Sequence, residues 1–167
     1  METLRDGSQV LIRPIRREDA ELERRFIEGL SPESRRFRFL GCVATPSDEM
    51  VRRLTDIDPE REAALIAVAR QDGHERQVGV ARFCKTSDDR AEVAVTVADD
   101  WQRRGLGTLL LRRLINLARA SGVRTLYSVD SSGNARMREL ATHMGFSCQP
   151  DPADRTQVVY SLEVEAG

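Results

Sequence analysis

Seven consecutive residues, Gln102, Arg103, Arg104, Gly105, Leu106, Gly107 and Thr108, carry the clearest chemical signal in the sequence. They stand between an alternating valine run, AEVAVTV over residues 91–97, and a leucine-rich stretch with helical spacing. A glycine-rich turn that opens a helix leaves backbone N–H groups without intrahelical partners, and the aligned peptide dipoles add partial positive charge there. Such a terminus suits a phosphate or pyrophosphate. Gly105 and Gly107 let the backbone approach the ligand closely and permit a positive φ. Arg103 and Arg104 add charge, and the Thr108 hydroxyl can donate one more bond. Two common nucleotide sites are excluded by residue identity. The dinucleotide fingerprint GxGxxG lacks its third glycine, because Gly105-Leu106-Gly107 runs into Thr108-Leu109-Leu110, and no GxxxxGK[ST] string exists. A carboxylate, Glu92, starts the strand that feeds this loop. Strand alternation puts Glu92, Ala94 and Thr96 on one face and Val93, Val95 and Val97 on the other.

The elements that must position these groups follow from periodicity. Residues 10–15 alternate and read as a strand. Residues 17–30 place Leu22, Phe26, Ile27 and Leu30 at helical spacing, with Asp19 as N-cap and Gly29 at the exit. Ser31-Pro32-Glu33 has the residue types that restart a helix, and Ser47 caps another through Met50, Val51 and Leu54. The period then changes. Residues 63–69 and 78–85 read as strands joined by a polar turn at Asp72-Gly73, and 91–97 as a third. Residues 107–120 form an amphipathic helix with Leu109, Leu110, Leu114, Ile115 and Leu117 on its apolar stripe. A strand over 125–129, a helix over 134–144 closed by Gly145, and a strand pair over 146–148 and 157–164 finish the chain. This order predicts one α/β domain over residues 1–167, a mixed central sheet of about six to seven strands flanked by about four to five helices.

The run Gln102-Arg103-Arg104-Gly105-Leu106-Gly107 fits the pattern [QR]-x-x-G-x-[GA] directly after a hydrophobic strand, and so resembles the acyl-CoA signature of the GNAT acetyltransferase superfamily. The resemblance covers residues 93–117 and 126–146, including the passage from Asn134 to Gly145-Phe146. It implies the GNAT fold and acetyl-CoA as co-substrate, with the pyrophosphate on residues 102–108. It places the thioester carbonyl and pantetheine arm on the backbone of Val95, Thr96 and Val97, and it gives Asn134 a bond to pantetheine or pyrophosphate. Asn134 also suits the N-cap of its own helix. Glu92 falls where the superfamily often carries a catalytic glutamate. A base is needed because a lysine amine, with pKa near ~10.4, is mostly protonated at neutral pH. Many members place a tyrosine acid four residues before the Gly-Phe pair; here that position is Ala141.

A second resemblance lies in residues 12–41, with RPIRREDAELERRFIEGLSPESRRFRFLG, which look like the start of the acetyltransferase domain of bacterial protein lysine acetyltransferases. It implies a primary amine as acceptor, a protein lysine foremost, with direct transfer in a ternary complex. Those enzymes often fuse the domain to a synthetase-like or cyclic-nucleotide-binding domain, and this chain is expected to hold the acetyltransferase domain alone. A small-molecule amine acetyltransferase and a non-catalytic acyl-CoA sensor are the alternatives, the latter prompted by Ala141.

Composition bounds the partners. Twenty-six basic residues against twenty-seven acidic ones give no electrostatic case for nucleic acid or an anionic membrane. The cluster Arg35-Arg36-Phe37-Arg38-Phe39 reads as buried aromatics between solvated arginines. Cys42, Cys84 and Cys148 lack CxxC spacing, so neither a metal site nor a disulfide framework is expected. The N-terminus has no apolar run of signal-peptide type, which makes the cytoplasm the expected compartment. A homodimer is compatible with the sequence.

Overall fold

The computed structural model describes residues 1–31, 36–37, 41–42 and 47–164. The chain runs through strands β1 (Glu2–Thr3) and β2 (Gln9–Pro14), helix α1 (Ala20–Glu28), strands β3 (Arg36–Phe37) and β4 (Gly41–Cys42), and helix α2 (Asp48–Thr55). Strands β5 (Glu62–Gln71), β6 (His74–Lys85) and β7 (Arg90–Val97) follow, then helix α3 (Leu106–Ala120), strand β8 (Thr125–Ser131), helix α4 (Ala135–His143), and strands β9 (Ser147–Asp151) and β10 (Asp154–Glu163). Eight strands form one sheet in the order β1-β2-β5-β6-β7-β8-β10-β9, and β3 and β4 pair separately. Every neighbouring pair is antiparallel except β7 and β8. The sheet thus has one strand more than expected. The extra strand is β1, two residues paired with Val10 and Gln9, too short to show a period.

The first helix begins at Ala20, after a 3-10 turn over Arg17–Asp19, so Asp19 stands at the expected N-cap position but makes no side-chain cap bond there. The Asp19 carboxylate accepts from Arg13 Nη1 and Nη2, both at 2.7 Å, and from Arg16 N at 2.7 Å. Burial pushes this carboxyl up, but the guanidinium and the N–H outweigh it and hold the pKa below the ordinary value. The buried stripe of α1 is Glu23, Phe26 and Ile27, continued by Leu30, so a glutamate takes a core position where Leu22 was expected. The expected helix restart at Ser31-Pro32-Glu33 lies largely outside the described residues. So does the arginine–phenylalanine cluster, apart from the backbone of Arg36 and Phe37 in β3. Ser47 caps α2 as its type predicts, its Oγ accepting from Met50 N at 3.1 Å.

The sheet separates the helices onto two faces. A methyl group on Gly79 of β6 would lie 2.9 Å from Leu110 Cδ1 and 3.3 Å from Leu106 Cδ2, so the missing side chain lets α3 settle closely on the strand. Arg82, three residues on in an unbulged stretch, points the other way and reaches α2, where its Nη1 donates to the Leu54 carbonyl at 3.1 Å. On that second face Glu23 of α1 lies 3.5 Å from Arg82 Nη2 and accepts from Gln77 Nε2 at 3.2 Å. Burial pushes the Glu23 carboxyl above its ordinary pKa, and Arg82 opposes the rise. A buried polar cluster therefore joins α1 and α2 to the middle of the sheet. The opposite face is apolar, with Leu106, Leu110, Leu111 and Leu114 of α3 fully buried.

Candidate active site

Strand β7 is the backbone of the site. It pairs with β6 along its whole length, from Lys85 opposite Ala91 to Gly79 opposite Val97. Its parallel pairing with β8 covers only Arg90, Ala91 and Glu92, opposite Thr125, Leu126 and Tyr127. Past Glu92 no ladder joins the two strands among the described residues, although both continue. The N–H and C=O groups of residues 93–97 that point away from β6 are therefore left for another partner, because a strand presents alternate residues to its two edges. Val95, Thr96 and Val97 lie in this segment. Gly107 of α3 and Leu140 of α4 close in on the same place: a methyl group on Gly107 would meet Leu140 Cδ2 and Val97 Cγ2 at 3.7 Å and Val95 Cγ1 at 3.9 Å.

The loop after β7 is held from several directions. Ala98 N donates to Val78 O at 2.8 Å, and residues Asp99–Trp101 form a 3-10 turn. Gln102 Nε2 donates to Val97 O at 3.1 Å, so this side chain ties the loop to the strand end. Arg103 and Gly105 both take left-handed backbone angles, φ 65° and 86°. A left-handed residue suits glycine, and Gly105 is where the chain turns into α3. The first helical bond runs from Leu109 N to Gly105 O at 3.1 Å, which leaves Leu106, Gly107 and Thr108 N–H without intrahelical acceptors. No side chain caps this end, and its first turn holds no acidic residue. The helix terminus is therefore set up for an anion supplied from outside.

The two arginines of the loop differ in role. Arg104 lies over the Trp101 ring, 4.5 Å from its centroid, and donates to Ser8 Oγ and Asp100 O, both at 3.0 Å. It also pairs with Asp6 at 3.4 Å. Arg104 is an anchor between the loop and the β1–β2 turn, a role its place in the signature did not reveal. Arg103 is exposed. Asp100, in the 3-10 turn, makes two 2.8 Å bonds with Arg76, which hold its pKa below the ordinary value.

Glu92 sits where the β7–β8 pairing ends, half-buried, in register with Cys84 on one side and Tyr127 on the other. Its face is that of Arg82 and helices α1 and α2, since Ala94, two residues on, is opposite Arg82. Arg90 stacks on the Tyr127 ring at 4.9 Å, beside Glu92. Partial desolvation pushes the Cys84 thiol up, with Glu62 and Glu92 adding to the rise and Arg61 opposing it. Asn134 caps α4 by accepting from Met137 N at 3.1 Å, while its Nδ2 donates to Asp130 Oδ2 at 2.9 Å. Ala141 is buried and puts a methyl where many superfamily members carry a phenol. Among the described residues no group of three or more His, Cys, Asp or Glu could hold a metal ion, and no helix is long and apolar enough to cross a membrane.

A strand that parts from its parallel neighbour, followed by a glycine turn into an uncapped helix, offers an extended ligand a free strand edge and its phosphates a helix terminus. The profile of the acetyltransferase (GNAT) family matches residues 28–146, and the chain belongs to that family. It is 47% identical over 163 residues to an acetyltransferase of Pseudomonas aeruginosa, covering 97% of this chain and 88% of that one. The GNAT domain of S. lividans PAT superposes with a TM-score of 0.85 at 27% identity, covering 97% of this chain and 94% of that one. A cAMP-binding acyltransferase from Mycobacterium smegmatis has a TM-score of 0.67 at 25% identity, and this chain, 98% covered, spans 46% of it.

Proposed function

We propose that the chain, acting as a single domain, transfers the acetyl group of acetyl-CoA to a protein lysine amine by direct transfer in a ternary complex. The observation that carries this reading is the position of Glu92: one strand presents both the unpaired edge at residues 93–97 and a carboxylate at the point where that edge begins. The pyrophosphate lies on the N–H groups of residues 105–108 and the pantetheine along residues 93–97, with Asn134 nearby. Glu92 takes a proton from the incoming ammonium, directly or through water. The amine nitrogen attacks the thioester carbon, and the backbone N–H groups of Val95 and Val97, which point away from β6, stabilise the oxyanion. The C–S bond then breaks, the nitrogen gives up its second proton to solvent to leave the neutral amide, and CoA departs as a thiolate that solvent protonates, since Ala141 offers no acid. The likeness to the GNAT domain of S. lividans PAT and the resemblance in residues 12–41 support a protein acceptor. The reaction is placed in the cytoplasm, where acetyl-CoA is available.

The test pairs acceptors with a variant. Thiol release is measured with lysine-bearing proteins and with a panel of amino acids, polyamines and aminoglycosides. Protein acceptors are expected to turn over fastest, and Glu92→Gln to lower kcat at neutral pH by about 10²–10⁴-fold with acetyl-CoA affinity retained. Faster turnover of a small amine refutes the protein acceptor, and full activity of Glu92→Gln refutes the base.

A further inference from the structure

We propose that Arg5, carried by the turn between β1 and β2, is a further ligand for the phosphates of the acyl-CoA. The inference rests on the acetyl-CoA reading of the glycine loop. A methyl group built on Gly105 would lie 3.3 Å from both Nε and Nη2 of Arg5 and 3.8 Å from its Cζ. The guanidinium therefore rests against the first glycine of the loop, at the residue that turns the chain into α3.

The turn that delivers Arg5 is fixed to the loop by other residues. Leu4 N donates to Ser8 O at 2.8 Å, Gly7 N to Leu4 O at 3.0 Å, and Ser8 N to Asp6 Oδ1 at 2.9 Å. Ser8 and Asp6 are the partners of Arg104, and Glu2 of β1 pairs with Arg113 of α3. The hairpin is thus tied twice to the loop-and-helix unit, and Arg5 is the residue it presents at Gly105. Arg5 itself is exposed, and among the described residues it has neither a carboxylate nor a hydrogen-bond partner. The nearest carboxylate in the turn, Asp6, is engaged by Arg104 and Ser8 N, and the groups around Gly105 are positive. The uncapped terminus of α3 carries partial positive charge with no acidic residue in its first turn, and Arg103 adds another cation. Bringing a guanidinium to such a place is unfavourable until an anion joins it, and a phosphate answers all three positive groups at once.

Calorimetric titration of acetyl-CoA into the unsubstituted chain, Arg5→Ala and Arg5→Lys tests this. Arg5→Ala is expected to raise Kd by roughly fivefold, with a smaller rise for Arg5→Lys, and the difference should shrink as ionic strength increases. The thermal midpoint should stay unchanged, because the side chain supports nothing in the fold. The same titrations with acetyl-dephospho-CoA identify the phosphate: a loss that persists assigns the pyrophosphate, and a loss that disappears assigns the 3′-phosphate. Equal affinity of Arg5→Ala and the unsubstituted chain for acetyl-CoA overturns the inference and leaves the loop reading standing. No binding of acetyl-CoA by the unsubstituted chain overturns both.

Discussion

Replacing Arg82 by methionine should expose how α1 and α2 are held over the face that carries Glu92. The substitution keeps an unbranched stem of similar reach but removes the charge opposite Glu23 and the donor to the Leu54 carbonyl. Glu23 is 1% exposed, so its carboxylate would be left with Gln77 as its remaining neutral partner. Breaking a buried pair by removing one member costs about 3–5 kcal/mol. For a chain of this length that corresponds to a Tm lower by roughly 6–20 °C. The loss should depend on pH in a fixed direction. A carboxyl whose folded pKa is raised binds its proton more tightly when folded. Its stabilisation is complete below the unfolded value near ~4.3 and is lost as pH rises through the folded value. Arg82 opposes that rise, so without it the folded value climbs further and the deficit widens from pH 5 to pH 8. Urea unfolding at both pH values measures this, and Glu23→Gln combined with Arg82→Met should recover much of the loss. A deficit under ~1 kcal/mol, typical of an exposed pair, would refute the reasoning. So would a deficit equal at the two pH values.

Gly79→Val should destabilise by about 1–3 kcal/mol through overpacking against Leu106 and Leu110, read as a lower urea midpoint with unchanged m. Arg104→Ala should lower Tm by roughly 2–8 °C, as expected for losing about 1–2 kcal/mol of stacking and hydrogen bonding, and Arg104→Lys should not restore it because the planar stack is gone. Gly107→Ala fits at ordinary contact distances and should leave acetyl-CoA affinity nearly intact by calorimetry. Gly107→Trp should abolish binding while circular dichroism still reports a folded chain.

What could be read from the sequence was whatever has a local meaning. Gly105 announces a left-handed turn because other residues pay a steric penalty there, and Ser47 and Asn134 announce helix starts because their side chains bond N–H groups three residues on. Strand alternation put Glu92 and Val93 on opposite faces without any knowledge of the partners. The remainder depends on contacts far apart in the chain. Three adjacent loop residues look equally suited to phosphate, yet Gln102 is engaged with Val97 and Arg104 with Trp101, Ser8 and Asp6. Gly107, read as room for a phosphate to approach, turns its missing side chain toward Val95, Val97 and Leu140. Glu23 continues the spacing of Phe26, Ile27 and Leu30, but a charged residue in that stripe becomes legible only when Arg82 and Gln77 are seen beside it. The parting of β7 from β8 is a property of pairing and leaves no mark in either strand.

A crystal structure with bound acetyl-CoA tests most directly whether residues 102–108 hold the cofactor. The pyrophosphate is expected within hydrogen-bonding distance of the N–H groups of residues 105–108, with the pantetheine between β7 and β8 and the thioester beside Glu92. Acetyl-CoA bound elsewhere, or in the cleft with its phosphates away from Gly105 and Gly107, would contradict the assignment.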